Sequence, residues 1–247
     1  MKDYGEYSNA SMSMTIDDKD KDLIENVLKN ERITHIIETG TYLGKGSTKM
    51  LAESLLKIGV DTAFITIEAN WESWIQAKRN LKQYRFVLPL WGKTVSTRKA
   101  LNFIANDEAL LHHENYPDIY IDDLKDPVKF YSDEIKGKLG KVTLNPFYIL
   151  LKWYDKIFYF SGEELLERYL IKFRNNNPLI VLDSAGGIGY LEFNVVKKIM
   201  GNEPYILLLD DIHHLKHFRS MNEIKSDSHF KVLHLDIRNG WILTKHF

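Results

Sequence analysis

The sequence predicts an α/β chain on a mostly parallel sheet of seven strands that closes in an antiparallel hairpin. Short β-branched runs alternate with segments of helical period in the first half of the chain, and the alternation resumes near residue 179. The last two apolar runs are separated by only a few residues that include Asn239-Gly240. Strands alternating with helices join through right-handed crossovers into parallel sheets, whereas Asn-Gly between two runs marks a hairpin.

Residues 16–30 place Leu23, Ile24, Val27 and Leu28 on one face behind an acidic first turn, predicting a lead-in helix. Ile33 to Thr39 is the first strand, followed by a glycine-containing loop and a helix over Thr48 to Ile58. Ala63 to Glu68 and Trp71 to Leu81 repeat the pattern, and Arg85 to Leu90 is a third strand running into Trp91-Gly92-Lys93. After the interruption come strand Leu179 to Asp183, helix Tyr190 to Met200 and strand Tyr205 to Asp210. His229 to Leu235 and Gly240 to His246 form the hairpin.

This pattern divides the chain into a polar tail and helix start at 1–20, a core over 21–111 and 178–247, and an insert over 112–177. The insert holds 13 of the 30 aromatic residues in 66 of 247 positions, about 1.6 times the share that its length predicts. It reads as a helical cap over the edge of the sheet where open α/β sheets bind ligands. A second hydrophobic mini-core without ligand contact is the alternative. Within it, Pro146 to Phe160 is strongly apolar, but Lys152, Asp155 and Lys156 interrupt it and it is too short to span a bilayer. It suits aromatic packing inside the cap, or a helix lying on a membrane surface or a partner.

Composition narrows the function classes. With 33 Lys+Arg against 34 Asp+Glu, the formal charge of -1 offers no general field for nucleic acid. The absence of cysteine excludes disulfides, thiolate metal sites and Cys nucleophiles. Met1 to Thr15 lacks the basic flank and apolar core of a signal peptide, so cytoplasmic residence is expected. A small-molecule partner is expected, and a homo-oligomer is left open.

The first candidate site is the run Glu38-Thr39-Gly40-Thr41-Tyr42-Leu43-Gly44-Lys45-Gly46-Ser47-Thr48 at the end of the first strand. Glycines at 40, 44 and 46 allow a tight turn and close approach to a ligand, but their spacing matches neither the dinucleotide fingerprint nor a P-loop. Glu68, ending the second strand, is placed to accept hydrogen bonds from ribose hydroxyls.

In these residues, with Trp91-Gly92-Lys93, Asp183 and the terminal hairpin, the chain resembles the class I S-adenosylmethionine-dependent methyltransferases over about residues 31–111 and 178–247. The resemblance implies a Rossmann-like fold and S-adenosylmethionine as cofactor. It implies cofactor contacts from Glu38, Gly40, Tyr42, Gly44, Gly46 and Ser47 toward the methionine part, Glu68 at the ribose, Trp91, Gly92 and Lys93 near adenine, and Asp183.

The second site is acidic. Asp183 ends the fourth strand and Asp210 and Asp211 end the fifth, so the three should converge. Clustered carboxylates need a proton or a cation, and an all-oxygen set suits Mg2+. The pattern is similar to metal-dependent small-molecule O-methyltransferases, including the macrocin O-methyltransferase type, although Asp183-Ser184-Ala185-Gly186 supplies no second nearby carboxylate.

His213, His214 and His217 follow directly. If a helix begins at 213, His217 shares a face with either of the others, and His214 or His217 is expected as the base, with Asp210 and its neighbours holding metal or acceptor hydroxyls. Glu192 either reaches toward the pocket from the helix after Gly189 or, as the favoured reading, is a surface carboxylate. The expected activity is O-methylation of a small polar acceptor such as a sugar. The alternatives are a nicotinamide-dependent oxidoreductase and a non-catalytic nucleoside-binding protein on the same scaffold.

Overall fold

A computed structural model describes residues 18–138 and 145–247. The polar tail through Thr15 lies outside the described residues. Seven strands form one sheet in the order β3-β2-β1-β4-β5-β7-β6. They are β1 (His35–Thr39), β2 (Ala63–Glu68), β3 (Val87–Trp91), β4 (Leu179–Leu182), β5 (Tyr205–Leu209), β6 (Phe230–Asp236) and β7 (Trp241–His246). β1 to β5 run parallel, while β7 enters antiparallel beside β5 and pairs with β6, with a bulge between Val232 and His234. The chain order reverses between β1 and β4, so the ends of these two strands flank the crevice that such a switch creates.

Side chains alternate across the pleat, which sends Ile36 and Ile37 to opposite layers. On one face Ile36, Phe64, Val181 and Leu208 meet Ile24 and Leu28 of α1 (Asp18–Asn30), Leu51 and Leu55 of α2 (Ser47–Ile58), and Ala77 of α3 (Trp71–Asn80). On the other, Ile37, Ile65, Ile180 and Leu207 meet a second set of helices. That set comprises α8 (Leu165–Phe173), α9 (Gly189–Met200) and α10 (Phe218–Ser226), following α4 (Thr97–Ala105), α5 (Glu108–Leu111), α6 (Pro127–Ile135) and α7 (Pro146–Phe158). Burying both faces requires the continuous apolar strands seen in the sequence.

Three expectations change. The stretch 112–177 is not one piece: Leu165, Leu166, Leu170 and Phe173 of α8 are fully buried against the sheet, so this helix is a layer of the core. Residues 116–135 instead join Ile104, Leu110, Leu215 and Phe218 in a separate small core around Tyr131. Helices α4 and α5 were not anticipated, and their starts are set by side-chain caps from Ser96 and Asp107. Finally, α10 begins at Phe218, after a turn, so the three histidines do not share a helical face.

Candidate functional site

The ends of the parallel strands bring both sequence-predicted sites to one edge. Gly40 has φ +81°, and a Cβ there would lie 2.2 Å from the Asp183 carbonyl oxygen. No other residue lets the loops after β1 and β4 close on each other. Gly44 also has a left-handed φ, +63°, and a Cβ there would in addition press on the Leu81 side chain at 2.8 Å. Gly40, Thr41, Tyr42, Lys45, Gly46 and Asp183 line a cavity of about 240 Å³. Gly46 caps α2 without a side chain, leaving the first amides of that helix without a side-chain acceptor.

Glu38 does not face this cavity. Its carboxylate is wholly buried and accepts hydrogen bonds from Ser47 at 2.6 Å, Thr48 at 2.6 Å and Thr66 at 2.7 Å. It therefore pins the end of β1 to the start of α2, and burial pushes it up to about 7 despite the three hydroxyls. Ser47 is shared between that network and the cavity wall.

Glu68 is held in a similar way. Its two oxygens accept the amides of Tyr42 and Asn70, each at 2.7 Å, and burial raises it to about 7. Tyr42 has φ 48° and is partly exposed, so the loop is fastened over Glu68 by its backbone.

Trp91 packs into the protein. It stacks on Trp74 at 5.7 Å, meets Phe160 edge-on, and donates from its ring nitrogen to the Ala69 carbonyl. The Gly92 amide bonds the Glu68 carbonyl, and Lys93 turns to Glu163 at 3.2 Å. The adenine-side candidates thus form the wall behind Glu68.

The acidic edge is assembled as expected: Asp183, Asp210 and Asp211 place carboxylate oxygens within 4.8 Å of one another. Lys216, missed in the sequence, lies among them. Its ammonium is 3.0 Å from Asp183 and 2.6 Å from Asp211, and its side chain is only 8% exposed. Burial opposes the charged ammonium, but Asp183, Asp211 and Asp210 outweigh it and hold its pKa above the ordinary lysine value. Asp210 is pushed well up by burial and then by Asp183 and Asp211, and Asp183 is raised by burial against the pull of Lys216. Lys216 answers one of the three negative charges and a proton favoured on Asp210 a second, so one negative charge is left on the cluster. A resident divalent ion would have to evict a buried lysine bonded to two of its own ligands, so the set does not fit Mg2+.

The histidines take separate positions. His213 bonds the Ile237 carbonyl at 2.8 Å, toward the hairpin turn. His217 is completely buried, pressed on Gly189, and burial holds it well below its ordinary value. It has no path to an acceptor.

His214 accepts the Lys216 amide at Nδ1, which places its ring proton on Nε2, 3.1 Å from Asp122. Neither nitrogen keeps a free lone pair, so His214 is a positioning group for Asp122 in this arrangement. Tyr131 also donates to Asp122, at 2.8 Å. Burial raises Asp122, but the His214 and Tyr131 bonds prevail and leave it below the usual carboxylate range.

Asp122 arrives from the insert because residue 120 is strapped along the turn after β5: the Tyr120 amide bonds the His213 carbonyl and the Leu215 amide bonds the Tyr120 carbonyl. From α6, Glu134 faces Gly186 and is raised to about 7 by burial and then by Asp122. Glu192 is wholly buried, accepting Thr39 at 3.0 Å and Ser184 at 2.8 Å, not a surface carboxylate. Its register on α9, Glu192 facing inward between Tyr190 and Phe193, was the available signal.

No family model matches the chain, and neither does any curated protein. Among solved structures, it is similar to an O-methyltransferase from Bacillus cereus in complex with SAH (12% identity, TM-score 0.48, 98% of this chain and 86% of that chain). It is also similar to the O-methyltransferase TomG from Streptomyces achromogenes, involved in tomaymycin synthesis and in complex with SAM (12% identity, TM-score 0.47, 98% of this chain and 83% of that chain). Identity this low says nothing of activity.

Proposed function

We propose that the chain is an S-adenosylmethionine-dependent O-methyltransferase for a small polar acceptor, working without a bound metal. The observation that carries this reading is the cavity between the Gly40–Gly46 loop and Asp183, set at the switch of the 3-2-1-4-5-7-6 sheet beside a cluster of ionisable groups. Lys45 and the open amides at the start of α2 suit the carboxylate of an amino-acid moiety. Glu68 suits a ribose diol behind the loop, since each carboxylate oxygen can accept more than the one amide it now holds.

The cofactor would supply an electrophilic methyl group, and the protein must position an acceptor hydroxyl and remove its proton. Lys216 offers a fixed positive charge where an alkoxide would develop, the task a metal would otherwise perform. Asp122, oriented by His214 and Tyr131, is suited to hold acceptor hydroxyls. Glu134, with a pKa of about 7, is matched to general-base work near neutral pH, and we assign the proton to it in place of His214 or His217. A polar acceptor such as a sugar fits this array of oxygens and one ammonium.

Calorimetric titration with S-adenosylhomocysteine and with NADH tests the reading. Binding of the first alone is expected, while binding of NADH alone would assign the site to hydride transfer.

A further inference from the structure

Helix α7 carries an apolar surface that stays exposed among the described residues. Phe147, Ile149, Leu150, Trp153, Ile157 and Phe158 are each between 55% and 71% exposed. Isolated exposed apolar residues need no explanation, but this many on one thirteen-residue helix mark a contact surface.

The helix is held in a definite orientation. Asp155 is buried and accepts the Trp71 ring N–H at 2.9 Å, and Tyr148 meets Trp71 edge-on at 5.0 Å. With Tyr148 and Asp155 turned inward, the helical period puts Leu150, Trp153 and Ile157 on the opposite, outward face.

Charge then says what the face suits. Lys152 and Lys156, both exposed, stand one turn apart on its flank. Lys78 extends the basic border, lying 4.5 Å from the ring centroid of Tyr159 just past the helix end. The one acid of α7 is the inward Asp155. An apolar ridge with tryptophan and phenylalanine, bordered by lysines and with no exposed acid on α7 itself, is complementary to an anionic lipid headgroup layer. At about 1.5 Å per residue thirteen residues reach only about 20 Å, so the helix can lie in such a layer but not cross it. A second copy docked through the same face would bring Lys152 and Lys156 toward their equivalents with no acid of α7 to answer them.

We propose that α7 is an in-plane anchor that seats this protein on an anionic membrane surface through Trp153, Leu150 and Ile157, with Lys152 and Lys156 at the headgroups. The seat is independent of the chemistry proposed above.

The test is sedimentation of the full chain with vesicles of equal parts phosphatidylglycerol and phosphatidylcholine, and with vesicles of phosphatidylcholine alone. The protein should sediment with the anionic vesicles and be released by salt. Lys152→Gln with Lys156→Gln should weaken partitioning by roughly 30-fold, the worth of two surface lysines near an anionic leaflet. Trp153→Asp with Ile157→Asp should abolish it, and an unchanged melting temperature shows that the fold survives. Wild-type protein that stays in the supernatant, or binds both vesicles equally, overturns the proposal. So does a wild-type dimer that Trp153→Asp converts to monomer when no vesicle binding is seen, which would give the face to a second copy.

Discussion

Lys216, in the turn after β5, approaches Asp183 at the end of β4 to 3.0 Å, so a buried ammonium answers an acidic cluster from within the protein. Removing it should leave those carboxylates uncompensated. Lys216→Met is expected to cost about 3–5 kcal/mol of stability, the usual loss when one partner of a buried ion pair is deleted, read from denaturant midpoints. The same variant should gain measurable Mg2+ binding by calorimetry, because the acids then lack a cation. Wild-type protein should show neither Mg2+ binding nor loss of methyl transfer on chelation.

The Glu192 carboxyl is raised from 4.5 to about 7, chiefly by burial. A carboxyl whose folded pKa lies above its unfolded value favours the fold below about pH 4.5, and that contribution is lost as pH rises through about 7. Glu192→Gln should therefore leave stability nearly unchanged at pH 4.5 and raise it at pH 8 by on the order of 1–3 kcal/mol. Thermal melts of both proteins across that range decide it, and a parallel pair of curves would argue against a buried, proton-linked Glu192.

Loss of Glu68 acts on ligand and loop together. Glu68→Ala should weaken S-adenosylhomocysteine binding by about 1.5–3 kcal/mol, the worth of hydrogen bonds to a charged group. Calorimetry on folded variant reads the change directly, and an unaltered affinity would remove Glu68 from the ribose role.

The proton-transfer assignment separates two neighbours. Glu134→Gln should lower the methyl-transfer rate by roughly 10²–10⁴-fold with cofactor affinity unchanged. His214→Ala should cost less and chiefly raise the acceptor KM, since that ring orients Asp122. The reverse ranking would return the base role to His214.

The sheet was readable because its signals are local: β-branched runs for the parallel strands, and the Asn239-Gly240 turn before β7. α8 was not separated from the insert because its apolar face looks the same whether it covers a sheet or a small core. Convergence of Asp183, Asp210 and Asp211 followed from topology alone. Lys216 did not, since a lysine in a polar turn ordinarily points to solvent and its burial depends on a fold of the chain five residues after Asp211. Asp122 and Glu134 were equally hidden, because their distance from the strand ends is set by tertiary packing around Tyr131.

The strap at Tyr120 joins the insert to the turn after β5 through two main-chain bonds, from the Tyr120 amide to the His213 carbonyl and from the Leu215 amide to the Tyr120 carbonyl. Neither bond reads a side chain. On the proposed reading, residues that touch an acceptor can therefore be exchanged on the strap and α6 while the joint persists, and the glycine loop on the far side of Asp183 is left alone. Substrate choice would then be an interchangeable part, open to evolutionary retuning or to grafting in the laboratory without rebuilding the proposed cofactor half.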